Sequence, residues 1–190
     1  MKRSAKYSGV IILLCITAAS AASDRLGSLF SPAAVERDWK TVHADLQPDT
    51  PGVVRATLWK GYESTGFETT SLPVSDWSTW ESLKFEVNNP YDEPFSVYVR
   101  ISSLAHHPGE QTYTGGTFDG YVIGPGRNTV QISLEKMQSP EEKTIDAQRI
   151  SYLGIFFAPL FLRDGQDLKF ARDKTFSLSN LRLETTGAML

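Results

Sequence analysis

Short blocks of strict apolar–polar alternation recur along the chain, and this period of two constrains its fold more than any other feature. Leu83, Phe85 and Val87 alternate with Lys84 and Glu86, and Phe95, Val97, Val99 and Ile101 alternate with Ser96, Tyr98, Arg100 and Ser102. Val130, Ile132 and Leu134 alternate with Thr129, Gln131 and Ser133, and Val54, Ala56 and Leu58 alternate with Arg55, Thr57 and Trp59. Successive side chains of a strand point to opposite faces, so each block reads as a half-buried strand. Ile150 to Phe157 is apolar almost throughout, as expected of a strand covered on both sides. Phe176, Leu178, Leu181 and Leu183 share one face only if a bulge shifts the register between them.

Turn residues punctuate these blocks. Asn88-Asn89-Pro90-Tyr91-Asp92-Glu93-Pro94 separates two alternating strands, which are expected to form a hairpin. Gly124-Pro125-Gly126-Arg127-Asn128 breaks the chain before the next strand. A short helix is expected only at Ser139 to Gln148, with Pro140 in its first turn. Many strands and almost no helix point to an all-β sandwich or barrel.

The amino terminus reads as an export signal. Lys2, Arg3 and Lys6 precede the apolar run Val10 to Thr17, and small residues follow, with an Ala19-Ser20-Ala21 cleavage site. The apolar run is shorter than the roughly 20 residues a spanning helix needs. Residues 1–22 are therefore expected to be a cleaved signal peptide, residues 23–35 a lead-in segment, and residues 36–186 one β-sandwich domain. The mature chain is then secreted or periplasmic, with no membrane span. Losing three cations moves its formal net charge from −3 to −6. That balance, without a basic patch, argues against a nucleic-acid partner. Cys15 is the sole cysteine and leaves with the signal, so the mature chain forms no disulfide.

The run Asp76-Trp77-Ser78-Thr79-Trp80-Glu81-Ser82-Leu83-Lys84-Phe85-Glu86-Val87-Asn88-Asn89-Pro90 resembles a known pattern, as do Pro125-Gly126-Arg127-Asn128-Thr129-Val130 and Ile145-Asp146-Ala147-Gln148-Arg149-Ile150. Together they are similar to the galactose-binding-like jelly-roll domains of bacterial exported carbohydrate-active proteins, which include several carbohydrate-binding modules. The resemblance spans roughly Trp39 to Glu184 and implies a jelly-roll β-sandwich. Some members hold a structural calcium, but Ser179 stands where an acidic residue often precedes the Asn-Leu pair. No cofactor is expected. Trp77 and Trp80 are expected to plug the end of the sandwich rather than touch ligand.

Catalytic signatures are missing from the sequence: it has no Gly-x-Ser-x-Gly elbow, no His-Glu-x-x-His and no phosphate loop. His106-His107 with Glu110, and Asp164, Asp167 and Asp173, read as solvated loops without a full ligand set. The outward residues are more informative. Trp59, Glu86, Tyr98, Arg100, Gln131 and Phe156, with Tyr152 beside them, are expected on one sheet face, where aromatic planes stack on sugars and polar groups meet hydroxyls. A cross-strand Glu86–Arg100 ion pair is the structural alternative for two of them. The resulting expectation is a non-catalytic protein that binds an extracellular polysaccharide or oligosaccharide. An adaptor domain using the same face, or a small polysaccharide-acting enzyme, are the alternatives.

Overall fold

The structure, a computed structural model, describes residues 26–103, 116–134, 145–160 and 169–185, with the backbone alone for residues 116–119. The described residues form two five-stranded antiparallel sheets. The blocks read from the sequence supply six of the ten strands, and Lys40–Val42, Ala44–Pro48, Thr65–Thr69 and Gly116–Ile123 are strands that the pattern did not mark. In spatial order, the first contains β1 (Lys40–Val42), β4 (Thr65–Thr69), β9 (Tyr152–Pro159), β6 (Phe95–Ser102) and β7 (Gly116–Ile123). The second contains β2 (Ala44–Pro48), β3 (Val53–Leu58), β10 (Lys174–Glu184), β5 (Ser82–Asn89) and β8 (Gly126–Ser133). The inward halves of the alternation meet between the sheets. Val87, Val99 and Ile132 are among the buried residues there. Phe67, Phe95, Phe157 and Phe176 form a contiguous aromatic cluster with ring centroids 4.8–5.9 Å apart.

Both lateral edges are closed by the chain itself. His43, at φ 51°, turns β1 of the first sheet directly into β2 of the second. On the other side Gly124 and Pro125 carry β7 into β8, with Gly126 at φ 79°. Asn128 holds this turn: its Nδ2 donates to the carbonyls of Gly124 and Gly126 at 2.8 Å, and its Oδ1 accepts from Gly124 N at 3.0 Å. Buried Asn89 adds donations to Gly124 O and Glu93 O. The asparagines of the Asn-Pro and Pro-Gly-x-Asn motifs are thus turn fasteners, satisfying carbonyls where the chain changes sheets.

The bulge in β10 is present as expected. The register with β5 shifts between Ser179 and Arg182, and Asn180 takes φ 56°. Phe176, Leu178, Leu181 and Leu183 consequently all face the core.

Three expectations change. β5 and β6 are not a hairpin, because they lie in different sheets. A linker of five residues is long enough to cross the roughly 10 Å between packed sheets, and alternation is identical whether a turn pairs two strands or separates them. The linker is pinned to β10 instead: Glu93 pairs with Lys174, and the Tyr91 hydroxyl accepts from Thr175 N at 2.8 Å. The segment read as a lead-in packs into the core through Leu26, Leu29, Phe30, Ala34 and Val35. It holds a 3₁₀ turn (Ser28–Phe30) and a short helix α1 (Pro32–Asp38), with Ser31 as N-cap and Pro32 in the first turn. Trp39 follows, donating from Nε1 to Leu29 O at 2.8 Å and meeting Phe67 edge-on. Finally, Ala147 and Gln148 form a turn, while the remainder of the helix expected at Ser139 to Gln148 lies outside the described residues, except Ile145 and Asp146. That turn receives Trp77 N on Ala147 O at 2.7 Å, and Trp77 is buried, so it packs the sandwich end as expected. Trp80 is half-buried against the same core.

Candidate functional site

The six candidate residues divide between opposite surfaces. Tyr98, Arg100 and Phe156 lie on the outward face of the first sheet. Glu86 and Gln131 lie on the outward face of the second, and Trp59 stands just beyond β3 at its end. A Glu86–Arg100 pair is therefore excluded by the fold. Glu86 lies opposite Thr129 and Ser179, with Arg127 Nε 3.8 Å from its carboxylate at the surface, and Gln131 lies opposite Lys84. The common face was expected from the strand order of the resembled fold, whereas the order found puts β5 and β8 in one sheet and β6 and β9 in the other.

Register lines up the first sheet in rows across its strands. One row runs Val42, Gly66, Phe156, Tyr98, Gly120 from β1 to β7, and the next runs Lys40, Glu68, Gly154, Arg100. Three glycines lie in these two rows, and the rings of the face lie over them. A Cβ on Gly154 would stand 2.5 Å from Cε2 of Phe156, and one on Gly66 would stand 3.0 Å from Cδ1. Those two ring atoms are diagonally opposite, so the phenyl ring lies down across β9 and β4 with one edge on each glycine. Likewise a Cβ on Gly120 would meet Cε1 and Cδ1 of Tyr98 at 2.9 and 3.1 Å, so that ring leans over Gly120. Glycine inside a strand marks such a close approach. The result is a low aromatic platform of two adjacent half-buried rings.

Beside the platform, Tyr152 also lies along the sheet, its hydroxyl passing over Gly154 to reach Glu68 Oε2 at 2.7 Å. Burial, ahead of that hydrogen bond, pushes the Tyr152 phenol well above the ordinary tyrosine range, so it remains protonated and donates to Glu68. The Arg100 guanidinium stands 5.4 Å from the Tyr152 ring centroid in cation–π geometry. Arg100 is half-buried and offers a planar fork of donors at the platform's edge. Glu68 is the one carboxylate on the outward face of these strands among the residues whose side chains are described.

No family model matches the sequence, and no curated protein matches it either. Solved structures do. The agarase AgWH50C superposes with a TM-score of 0.57 at 15% identity, over 84% of this chain and 24% of that one. An exo-β-agarase gives 0.55 at 13% identity, over 78% and 24%. The family 11 carbohydrate-binding module from Clostridium thermocellum, in complex with a β-1,3-1,4-mixed-linked tetrasaccharide, gives 0.52 at 13% identity, over 78% of this chain and 89% of the module. The fold is the jelly-roll β-sandwich of these modules. The chain spans about a quarter of the length of the agarases it matches, and most of the module.

Glu68 and the glycine floor were missed in the sequence. Isolated glycines inside strand patterns, at Gly66, Gly120 and Gly154, are the signal that marks them. His106, His107, Glu110, Asp164 and Asp167 lie outside the described residues, whereas the Asp173 carboxylate accepts from Lys60 N at 2.8 Å. Among the described residues no cluster of three or more His, Cys, Asp or Glu side chains is placed to hold a metal ion, and no helix is long and apolar enough to cross a membrane.

Proposed function

We propose that this is an exported protein that binds a polysaccharide, without turnover, on the outward face of its first sheet. The observation that carries the proposal is the Phe156 ring laid across Gly66 and Gly154 beside Tyr98, with the Arg100 donors at its margin. Pyranose rings present flat C–H faces edged by hydroxyls. A low pair of aromatic rings matches the faces, while a guanidinium and a carboxylate match the hydroxyls. The rings rest on backbone, so they lose little freedom when a ligand docks. The fold is shared with a module solved with a tetrasaccharide bound, which supports the same reading.

A shallow site that competes with water for each hydroxyl implies Kd values of about 10 µM to 1 mM, or roughly 4–7 kcal/mol. Native gels containing agarose, β-1,3-1,4-glucan, xylan or alginate test this directly. The wild type is expected to be retarded by at least one, Tyr98→Ala to lose about tenfold or more of that affinity, and no new reducing ends to appear. Free migration in every gel would refute binding, and released reducing ends would refute the absence of turnover. The export half of the proposal rests on the amino-terminal sequence. Protein recovered from the medium or periplasm of its host is expected to have the mass of a chain beginning at Ala22 or Ser23, and an intact Met1 there would overturn it.

A further inference from the structure

We propose that the corner joining β1 to β2 is a second glycan-binding site, where Trp59 and Tyr62 stack neutral pyranose rings. This rests on the polysaccharide reading above and adds a point of attachment away from the sheet-face platform. Trp59 and Tyr62 are 40% and 39% exposed, the two large aromatic side chains among the described residues that stand out into solvent. A single exposed aromatic is ordinary on a protein surface. These two are locked in place. The Trp59 indole donates from Nε1 to Asp45 Oδ2 at 3.1 Å, which sets the ring plane. Tyr62 stacks on His43 with centroids 3.7 Å apart and planes 8° from parallel.

The backbone beneath them is held equally firmly. Trp59 N donates to His43 O at 3.0 Å, Gly61 N to Phe170 O at 2.8 Å, and Lys60 N to Asp173 Oδ1 at 2.8 Å. Neither ring contributes to the core, so the restraint orients two exposed aromatic planes. Rigid aromatic planes bind with little loss of side-chain freedom. Exposed Asp45 keeps acceptor capacity for sugar hydroxyls and, by its charge, disfavours anionic sugars, which selects neutral ones. His43 directly follows Val42, which ends the row containing Phe156 and Tyr98. At about 4.8 Å per strand, Val42 lies about 10 Å from Phe156 across the sheet, so one polysaccharide strand can reach both sites.

The test compares three proteins: wild type, Tyr98→Ala with Phe156→Ala, and Trp59→Ala with Tyr62→Ala. Each is titrated with β-1,3-1,4-glucan, agarose and short oligosaccharides of both. Binding is read by calorimetry, and exposure of the indole by iodide quenching of fluorescence. Trp39 and Trp77 are buried and Trp80 half-buried, so quenching reports mainly on Trp59. For a polysaccharide the wild type binds, the corner variant is expected to lose at least about tenfold on the polymer while its unfolding midpoint stays put, since two attachment points act multiplicatively. The platform variant is expected to retain weak binding that still shields Trp59 from iodide. Wild-type affinity in the corner variant, together with no shielding of Trp59 by any glycan in the wild type, would overturn the corner site and leave the platform standing. No binding by the wild type would overturn both. Concentration-dependent dimerisation abolished by Trp59→Ala, with no glycan shielding, would assign the corner to a second copy of the chain instead.

Discussion

Replacing Val99 by Asp is expected to leave the chain largely unfolded at neutral pH. Val99 is fully buried in the middle of β6, and that strand is hydrogen-bonded on both sides, to β9 and to β7. Neither neighbour allows the strand to rotate its face outward, so the carboxylate would be forced between the sheets without a partner. An ionised side chain in that position costs several kcal/mol even after relaxation, and domains of this size have only about 5–15 kcal/mol in total. Chemical denaturation of Val99→Asp beside Gln131→Asp separates burial from charge. The Gln131 variant places the same carboxylate on an exposed outward position opposite Lys84 and is expected to change stability by no more than about 0.5 kcal/mol. Equal midpoints for the two would mean that the facing of β6 is wrong.

The second large effect concerns the glycine floor, where two substitutions that look alike are expected to act differently. A Cβ on Gly66 would overlap the Ile155 carbonyl oxygen and stand 2.7 Å from the Phe156 Cα, both backbone atoms of the neighbouring strand. Relief requires β4 and β9 to separate, so Gly66→Ala is expected to lose about 2–3 kcal/mol of stability, within the range for overpacking. A Cβ on Gly120 meets only the Tyr98 ring, which can swing aside. Gly120→Ala should therefore cost less than about 1 kcal/mol yet tilt the Tyr98 ring and weaken glycan binding several-fold. Denaturation curves and affinity gels on both variants check this. Loss of stability in the Gly120 variant would show that the Tyr98 ring cannot swing aside, and no loss in the Gly66 variant would show that β4 and β9 do not approach as closely as the Ile155 carbonyl contact requires.

How much of the site was legible follows from the same geometry. The outward facing of Tyr98, Arg100, Glu86 and Gln131 was readable from alternation alone, and each does face outward. Phe156 was harder, because β9 is apolar on both faces. Its outward residues are a ring lying on glycines and the covered Tyr152, which give no polar beat to count. The split of the six residues between two surfaces left no trace in the pattern.

The sequence by itself determined six of the ten described strands (β3, β5, β6, β8, β9 and β10), their inward residues, the bulge in β10 and the turn at Pro125-Gly126, because each of these depends on residues adjacent along the chain; β1, β2, β4 and β7 were not read from it. Side-chain facing is a local property of period two, and a left-handed turn needs only its own glycine or asparagine. Only the tertiary structure decided which strands share a sheet. Pairing is made between segments far apart in sequence: β6 finds β9 rather than β5, and Gly66 comes to lie under Phe156 about ninety residues later. The core is satisfied equally by a strand in either sheet, so burial could not choose between them. That choice places Arg100 over Tyr152 instead of beside Glu86, and it assembles the platform from β4, β6, β7 and β9.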